Sequence, residues 1–182
     1  GLGYVYSGGI DISIPSNAFK YLGRGYFYGI PVPLLFWALV CAAEYFVLRF
    51  TRFGQYTYAI GGNADACRVS GVRVDFWRFV LYATAGALSA LAGVVLTSLT
   101  ATATPTAAIG AELDIIAAII LGGISLAGGR GGIVGTVLGL LILGTMGNAM
   151  TLTNVKPFWQ VLLRGVVLLI AVTIDSLRTG GY

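Results

Sequence analysis

Histidine is missing from the 182-residue chain, which excludes most zinc sites, serine–histidine nucleophile pairs and imidazole proton relays. Charge is also scarce: charged side chains make up 10% of the residues, whereas a soluble domain carries about 25%. Hydrophobic residues account for 57%. A water-soluble globule of this size would have too few polar residues to cover its surface. We therefore expect the chain to reside in a lipid bilayer. Its two cysteines, Cys41 in an apolar run and Cys67 in a polar stretch, are not expected to form a disulfide.

Lysine is rare as well, and its positions exclude a phosphate-binding loop. Such a loop needs Gly-x-x-x-x-Gly-Lys-Ser/Thr, but Lys20 precedes Tyr21 and Lys156 precedes Pro157. The glycine-rich stretch at 128–135, GGRGGIVG, is not followed by the acid that a dinucleotide site has about 20 residues further on. We interpret these glycines as helix-packing and turn residues. No catalytic residue, cofactor, metal or nucleic-acid partner is expected.

Four apolar runs approach or exceed the roughly 20 residues that a spanning helix needs; they cover residues 31–50, 76–99, 133–151 and 157–175. A fifth, residues 113–127, is short, because its helix would be about 22 Å long in a hydrocarbon core about 30 Å thick. Gly122 and Gly123 could also interrupt it, as in the discontinuous helices of transporters. The sequence predicts an all-α integral membrane protein, a polytopic helix bundle of about five membrane segments, one of them short or discontinuous.

Two readings of the segment 113–127 remain open, and basic residues, which prefer the cytoplasmic side, help to choose between them. A crossing segment leaves seven basic residues inside and three outside, whereas a re-entrant one leaves six and four. Crossing is therefore favoured, and the last span then ends inside at Arg178.

Small residues at helical spacing predict close helix packing in two of the spans. They recur every four residues as Gly86 with Ala90, Ser89 with Gly93, and the series Gly131, Gly135, Gly139.

The polar interval 49–78 holds five of the eleven basic residues: Arg49, Arg52, Arg68, Arg73 and Arg78. A basic interval between two spans indicates a cytoplasmic loop, here residues 51–75, because translocation of arginine is disfavoured. Residues 1–30 then form a periplasmic segment. Within the loop, residues 64–70 are predicted to form a short helix that Gly71 ends. We expect this helix to dock on a soluble partner.

A path for a polar, uncharged solute is predicted from amide and aromatic side chains near the outer end of the last two spans. The candidates are Asn148, Asn154, Phe158, Trp159 and Gln160. An aromatic face beside amides suits a sugar, although Phe158 and Trp159 also fit the alternative role of interface anchors. Glu44, an acid within the first span, is a candidate ion site, with a polar helix interface near Arg49 as the alternative.

The stretches FGQYTYAIGGNADACRVSGVRVD and ELDIIAAIILGGISLAGGRGGIVGTVLGLLILG resemble the permease subunits of bacterial ABC importers for monosaccharides, of the ribose, xylose and galactose type. The likeness covers nearly the whole chain but roughly the C-terminal half of such a permease. Since the chain also opens without an initiator Met, we expect residues 1–182 to be a single transmembrane domain from a longer permease. A short complete protein is the alternative.

The resemblance implies a multi-pass protein of the bacterial inner membrane, in contact with lipid, that translocates a monosaccharide. It implies separate ATPase subunits, a second permease subunit, identical or not, and a periplasmic sugar-binding protein. Asp65-Ala66-Cys67-x-x-x-Gly71 resembles the Glu-Ala-Ala-x-x-x-Gly motif of the helix that couples importers to their ATPase, with Asp in place of Glu and Cys in place of the second Ala. The residues implied to dock there are Gly61, Gly62, Asn63, Asp65, Ala66, Arg68 and Gly71. The alternatives are a branched-chain amino acid permease and a secondary transporter that uses Glu44.

Overall fold

The computed structural model describes the backbone of residues 2–179 and the side chains of residues 3–156 and 158–173. Over these residues the helices are α1 (Leu2–Ser7), α2 (Asn17–Arg24), α3 (Val32–Phe50), α4 (Arg52–Gly62), α5 (Ala64–Val69), α6 (Val74–Thr100), α7 (Ala111–Leu121), α8 (Ile133–Leu152) and α9 (Pro157–Thr179). The strands are β1 (Ile12–Ser13), β2 (Tyr26–Phe27), β3 (Ile30–Pro31) and β4 (Thr102–Ala103). Two compact units result: the first holds the residues up to 46 with 75–109, and the second holds 47–74 with the residues from 110 onward.

The predicted fold class is confirmed. Three described helices, α3, α6 and α8, are long and apolar enough to cross a membrane, and α9 adds a shorter apolar stretch, Phe158–Thr173. The helix α7 is the short segment, with 11 residues. It begins two residues before the predicted range. It ends at Leu121, because the backbone leaves the helical conformation at Gly123, where φ is +84°. Arg178, expected at the inner end of the last span, lies outside the described side chains.

In the first unit, α2 packs on the end of α6. Ser16 caps α2 by accepting a hydrogen bond from the Phe19 amide. Gly23 lies directly against the backbone of Ser98 and Leu99, so any side chain there would collide with α6. Arg24 Nε donates to the Leu99 carbonyl at 2.7 Å. The antiparallel strands β1 and β4 add a further link, which ties the N-terminal segment to the residues that follow α6.

In the second unit, α7 packs against both α8 and α9. Gly135 and Gly139 of α8 lie against Gly122 and the carbonyl of Ala118, where a Cβ would not fit. The predicted glycine ridge is therefore confirmed at these two positions. Gly131 stands outside the helix, in the loop before α8, with φ +136°.

The small residues of α6 give a different result. A Cβ at Gly86 or Gly93 would meet no atom within 4 Å among the described residues. Close packing on this face of α6 therefore stays a prediction.

Candidate functional site

The short helix predicted at residues 64–70 is present as α5, and both of its ends are capped. At the start, Asn63 Oδ1 accepts a hydrogen bond from the amide of Ala66 at 2.9 Å. At the end, Gly71 adopts φ +82°, and the Gly71 amide donates to the Arg68 carbonyl at 3.1 Å. The Val72 amide completes this Schellman motif by donating to the carbonyl of Cys67 at 3.0 Å. Asn63 and Gly71 therefore define a helix of fixed length.

The surface of α5 combines charge with one exposed apolar side chain. Arg68 Nη1 lies 3.7 Å from Asp65 Oδ1, and these side chains are 55% and 93% exposed. An exposed pair of this kind contributes little to stability, so a partner can replace it at small cost. Val69 is 90% exposed, and this exposure was not predicted from the sequence.

The helix α4, which precedes α5, was not predicted. It is held against the GGRGG loop, residues 128–132, by close backbone contacts: a Cβ on Gly61 would lie 2.7 Å from the Gly129 amide nitrogen. Tyr58 also donates from its hydroxyl to the Gly131 carbonyl at 3.0 Å. Gly61 thus packs within the unit, whereas a Cβ on Gly62 would meet open space. Since the GGRGG loop joins α7 to α8, α4 connects α5 to both helices.

A cavity of about 430 Å³ lies among α7, α8 and α9. All three helices contribute polar side chains to its wall: Asp114 from α7, Asn148 and Thr151 from α8, and Arg164 from α9. Arg164 Nη1 donates to Asp114 Oδ2 at 2.6 Å, and the two side chains are 37% and 46% exposed. Arg164 is seven residues beyond the start of α9, hence about 10 Å along its axis. The ion pair therefore lies within the apolar part of this helix.

Asn148 is the one predicted substrate-path residue on this cavity wall; the others belong to the α8–α9 turn and the start of α9. Asn154 adopts φ +56° in that turn, a conformation that asparagine tolerates. Gln160 Nε2 donates to the Val155 carbonyl at 3.0 Å. Phe158 and Trp159 are 85% and 59% exposed. Asn154 and Gln160 thus have local structural roles at the turn.

The pairing of Asp114 with Arg164 was not predicted from the sequence, in which the two residues are 50 positions apart. Glu44, the candidate ion site, is partly buried on α3 and does not line this cavity. Among the described residues no cluster of three His, Cys, Asp or Glu side chains could hold a metal ion.

Comparison with known families gives a match over most of the chain. Residues 4–172 match the family described as the permease component of the branched-chain amino acid transport system. No solved structure matches the chain significantly.

Individual relatives are permeases for pentoses. The chain is 49% identical to the ribose import permease protein RbsC of Bacillus subtilis, over 98% of this chain and 56% of the relative. It is 42% identical to the L-arabinose transport system permease protein AraH of Escherichia coli, over 98% and 54%. It is 43% identical to the xylose transport system permease protein XylH of Haemophilus influenzae, over 81% and 40%. The chain spans about half the length of the curated relatives it matches.

Proposed function

The chain belongs to the family of permease components of branched-chain amino acid transport systems, and from this premise we propose that it is part of an ATP-driven importer of monosaccharides. It is a transport component, a multi-pass protein of the bacterial inner membrane. The substrate class is proposed because the relatives described above are named for ribose, arabinose and xylose.

The observation that carries the mechanism is the capped, exposed helix α5. We propose that α5 docks on a separate ATPase subunit, with Val69 in an apolar contact and Asp65 and Arg68 exchanging their mutual pair for charges of the partner. Asn63, Ala66 and Gly71 shape the helix, and Gly62 leaves room for close approach. Movement of the ATPase then reaches α7 and α8 through α4 and the GGRGG loop, and switches the access of the membrane helices. A second permease subunit and a periplasmic sugar-binding protein complete the proposed assembly.

Docking is tested with the complete permease and its ATPase by pull-down and by stimulated ATP hydrolysis. Val69→Asp is expected to weaken association about tenfold, because burial of a valine contributes roughly 1.5 kcal/mol. Gly62→Trp should block the approach sterically, and Arg68→Glu should reverse a docking charge. The matched control is Val5→Asp, since Val5 is 82% exposed but lies in α1. Unchanged association and ATP hydrolysis in all three docking variants would contradict the proposal.

Transport of a branched-chain amino acid is the second candidate, because the family description names that substrate. Uptake into vesicles supplied with ATP and the binding protein separates the two: we expect labelled D-ribose, D-xylose or L-arabinose to enter and L-leucine to be excluded. A secondary transporter that uses Glu44 would instead work in energised vesicles without ATP and fail with Glu44→Gln.

A further inference from the structure

The ion pair between Asp114 and Arg164 is difficult to explain by stability alone. Its side chains are 37% and 46% exposed, and an exposed ion pair contributes only about 0–1 kcal/mol to stability. Even a fully desolvated pair can be replaced by apolar residues of similar volume without loss of stability. Charged side chains within membrane segments are costly and usually mark a functional position. In the part of the chain that the structure describes, both members of this pair line one cavity.

The pair also keeps hydrogen-bonding capacity for a ligand. One contact joins Arg164 Nη1 to Asp114 Oδ2, whereas a guanidinium carries five donors and a carboxylate about four acceptor positions. The side-chain amide of Asn148 on α8 has no hydrogen-bond partner among the described residues, and it adds two donors and an acceptor. Donors and acceptors thus face the same space from three helices.

The shape of the cavity suits a small solute. Its volume of about 430 Å³ falls in the range of small-molecule sites, about 300–1,000 Å³. Gly144 and Gly147 supply the room on the α8 side: a Cβ at Gly144 would meet nothing within 4 Å, and one at Gly147 would touch Arg164 Nη2 at 3.5 Å. Leu143 and Ala118 give the wall an apolar part, against which the C–H groups of a sugar ring can pack.

We propose that the cavity among α7, α8 and α9 is a binding site for a pentose-sized, neutral polyol on its way through the permease. Asp114 accepts hydrogen bonds from the hydroxyl groups of the solute, and Arg164 and Asn148 donate to its oxygen atoms. The ion pair orients the carboxylate of Asp114 and the guanidinium of Arg164 for hydrogen bonding with the solute. The identification of the solute as a sugar rests on the proposed function.

The test is protection of an introduced thiol in the complete permease, with its cysteines replaced. Gly144→Cys places a thiol on the cavity wall, and Gly165→Cys is the matched control, because a Cβ at Gly165 also meets open space but lies outside the cavity lining. D-Ribose, D-xylose and L-arabinose are added before a maleimide. At a sugar concentration about ten times its Kd, labelling at position 144 should slow about tenfold by mass action. Labelling at position 165 should not change.

A second variant separates binding from structure. Asp114→Arg combined with Arg164→Asp keeps an ion pair but exchanges the positions of its charges, so it should preserve monodisperse elution and sugar-free labelling while abolishing protection. Absence of protection by all three pentoses, equal protection in the exchanged variant, or protection by L-leucine instead would each overturn the site.

The assay needs neither ATP nor the ATPase, so failure of the binding site can be distinguished from failure of the transport proposal. Protection without ATP-driven uptake would overturn the transport proposal alone. Uptake without protection would overturn the binding site alone.

Discussion

The hydroxyl of Tyr58 donates a hydrogen bond to the carbonyl of Gly131 at 3.0 Å, across 73 residues of sequence. This contact joins α4, which leads directly into α5, to the loop between α7 and α8. It therefore lies on the route by which a force applied at α5 would reach the helices around the cavity.

Tyr58→Phe is expected to lower the ratio of sugar transported to ATP hydrolysed about fivefold, because one hydrogen bond contributes about 1 kcal/mol. Transport and hydrolysis are measured together in proteoliposomes. Tyr82→Phe serves as the control, since Tyr82 is 79% exposed on α6. An unchanged ratio would show that this contact has no part in coupling.

Gly128→Ala is expected to destabilise the protein more than Gly123→Ala. Both glycines have a positive φ, +90° and +84°, so each substitution costs about 1–2 kcal/mol in backbone strain. At Gly128, however, the new Cβ would also lie 2.5 Å from the Gly61 carbonyl oxygen, whereas the space at Gly123 is open. The additional loss is about 1–3 kcal/mol, measured from thermal unfolding in detergent. Equal losses of stability would mean that the contact between α4 and the GGRGG loop does not restrict the side chain at position 128.

Asn63→Ala removes the cap of α5 and is expected to cost about 1 kcal/mol of helix stability. Association with the ATPase should weaken about fivefold, because the helix must then be ordered on binding. Asn63→Asp keeps a side-chain oxygen for the Ala66 amide and should bind almost normally. If both variants bind alike, the cap does not set the affinity.

Ser98→Ala tests the contact between α2 and α6. Ser98 is fully buried, and its hydroxyl donates to the Phe19 carbonyl, so the substitution should lower the unfolding free energy by about 1 kcal/mol. Ser89→Ala on an exposed part of the same helix is the control, and the difference between their unfolding midpoints is the measured quantity.

Hydropathy and helix-capping chemistry were sufficient to locate the membrane helices and α5. The range 31–50 became Val32–Phe50, and 133–151 became Ile133–Leu152, because long apolar runs leave few alternatives in lipid. Gly71 predicted the end of α5, because glycine adopts a positive φ at low cost.

Features that depend on distant residues were not predicted. The helix α4 contains Gly54, Gly61 and Gly62, which lower helix propensity; in the folded chain, Gly61 is where the GGRGG loop approaches. Arg164 and Asp114 are 50 residues apart, and no local pattern links them. A search for an acid that could neutralise the intramembrane Arg164 would have been the available signal.

Ile12 and Ser13 pair with Ala103 and Thr102 across the β1–β4 ladder, which closes the intervening chain into a ring. Two strands that pair must lie on the same side of the bilayer. The chain between Ser13 and Thr102 must therefore cross the bilayer an even number of times. Any odd-numbered assignment for this stretch is excluded. Reporter tags at positions 10 and 105 should therefore always be found in the same compartment.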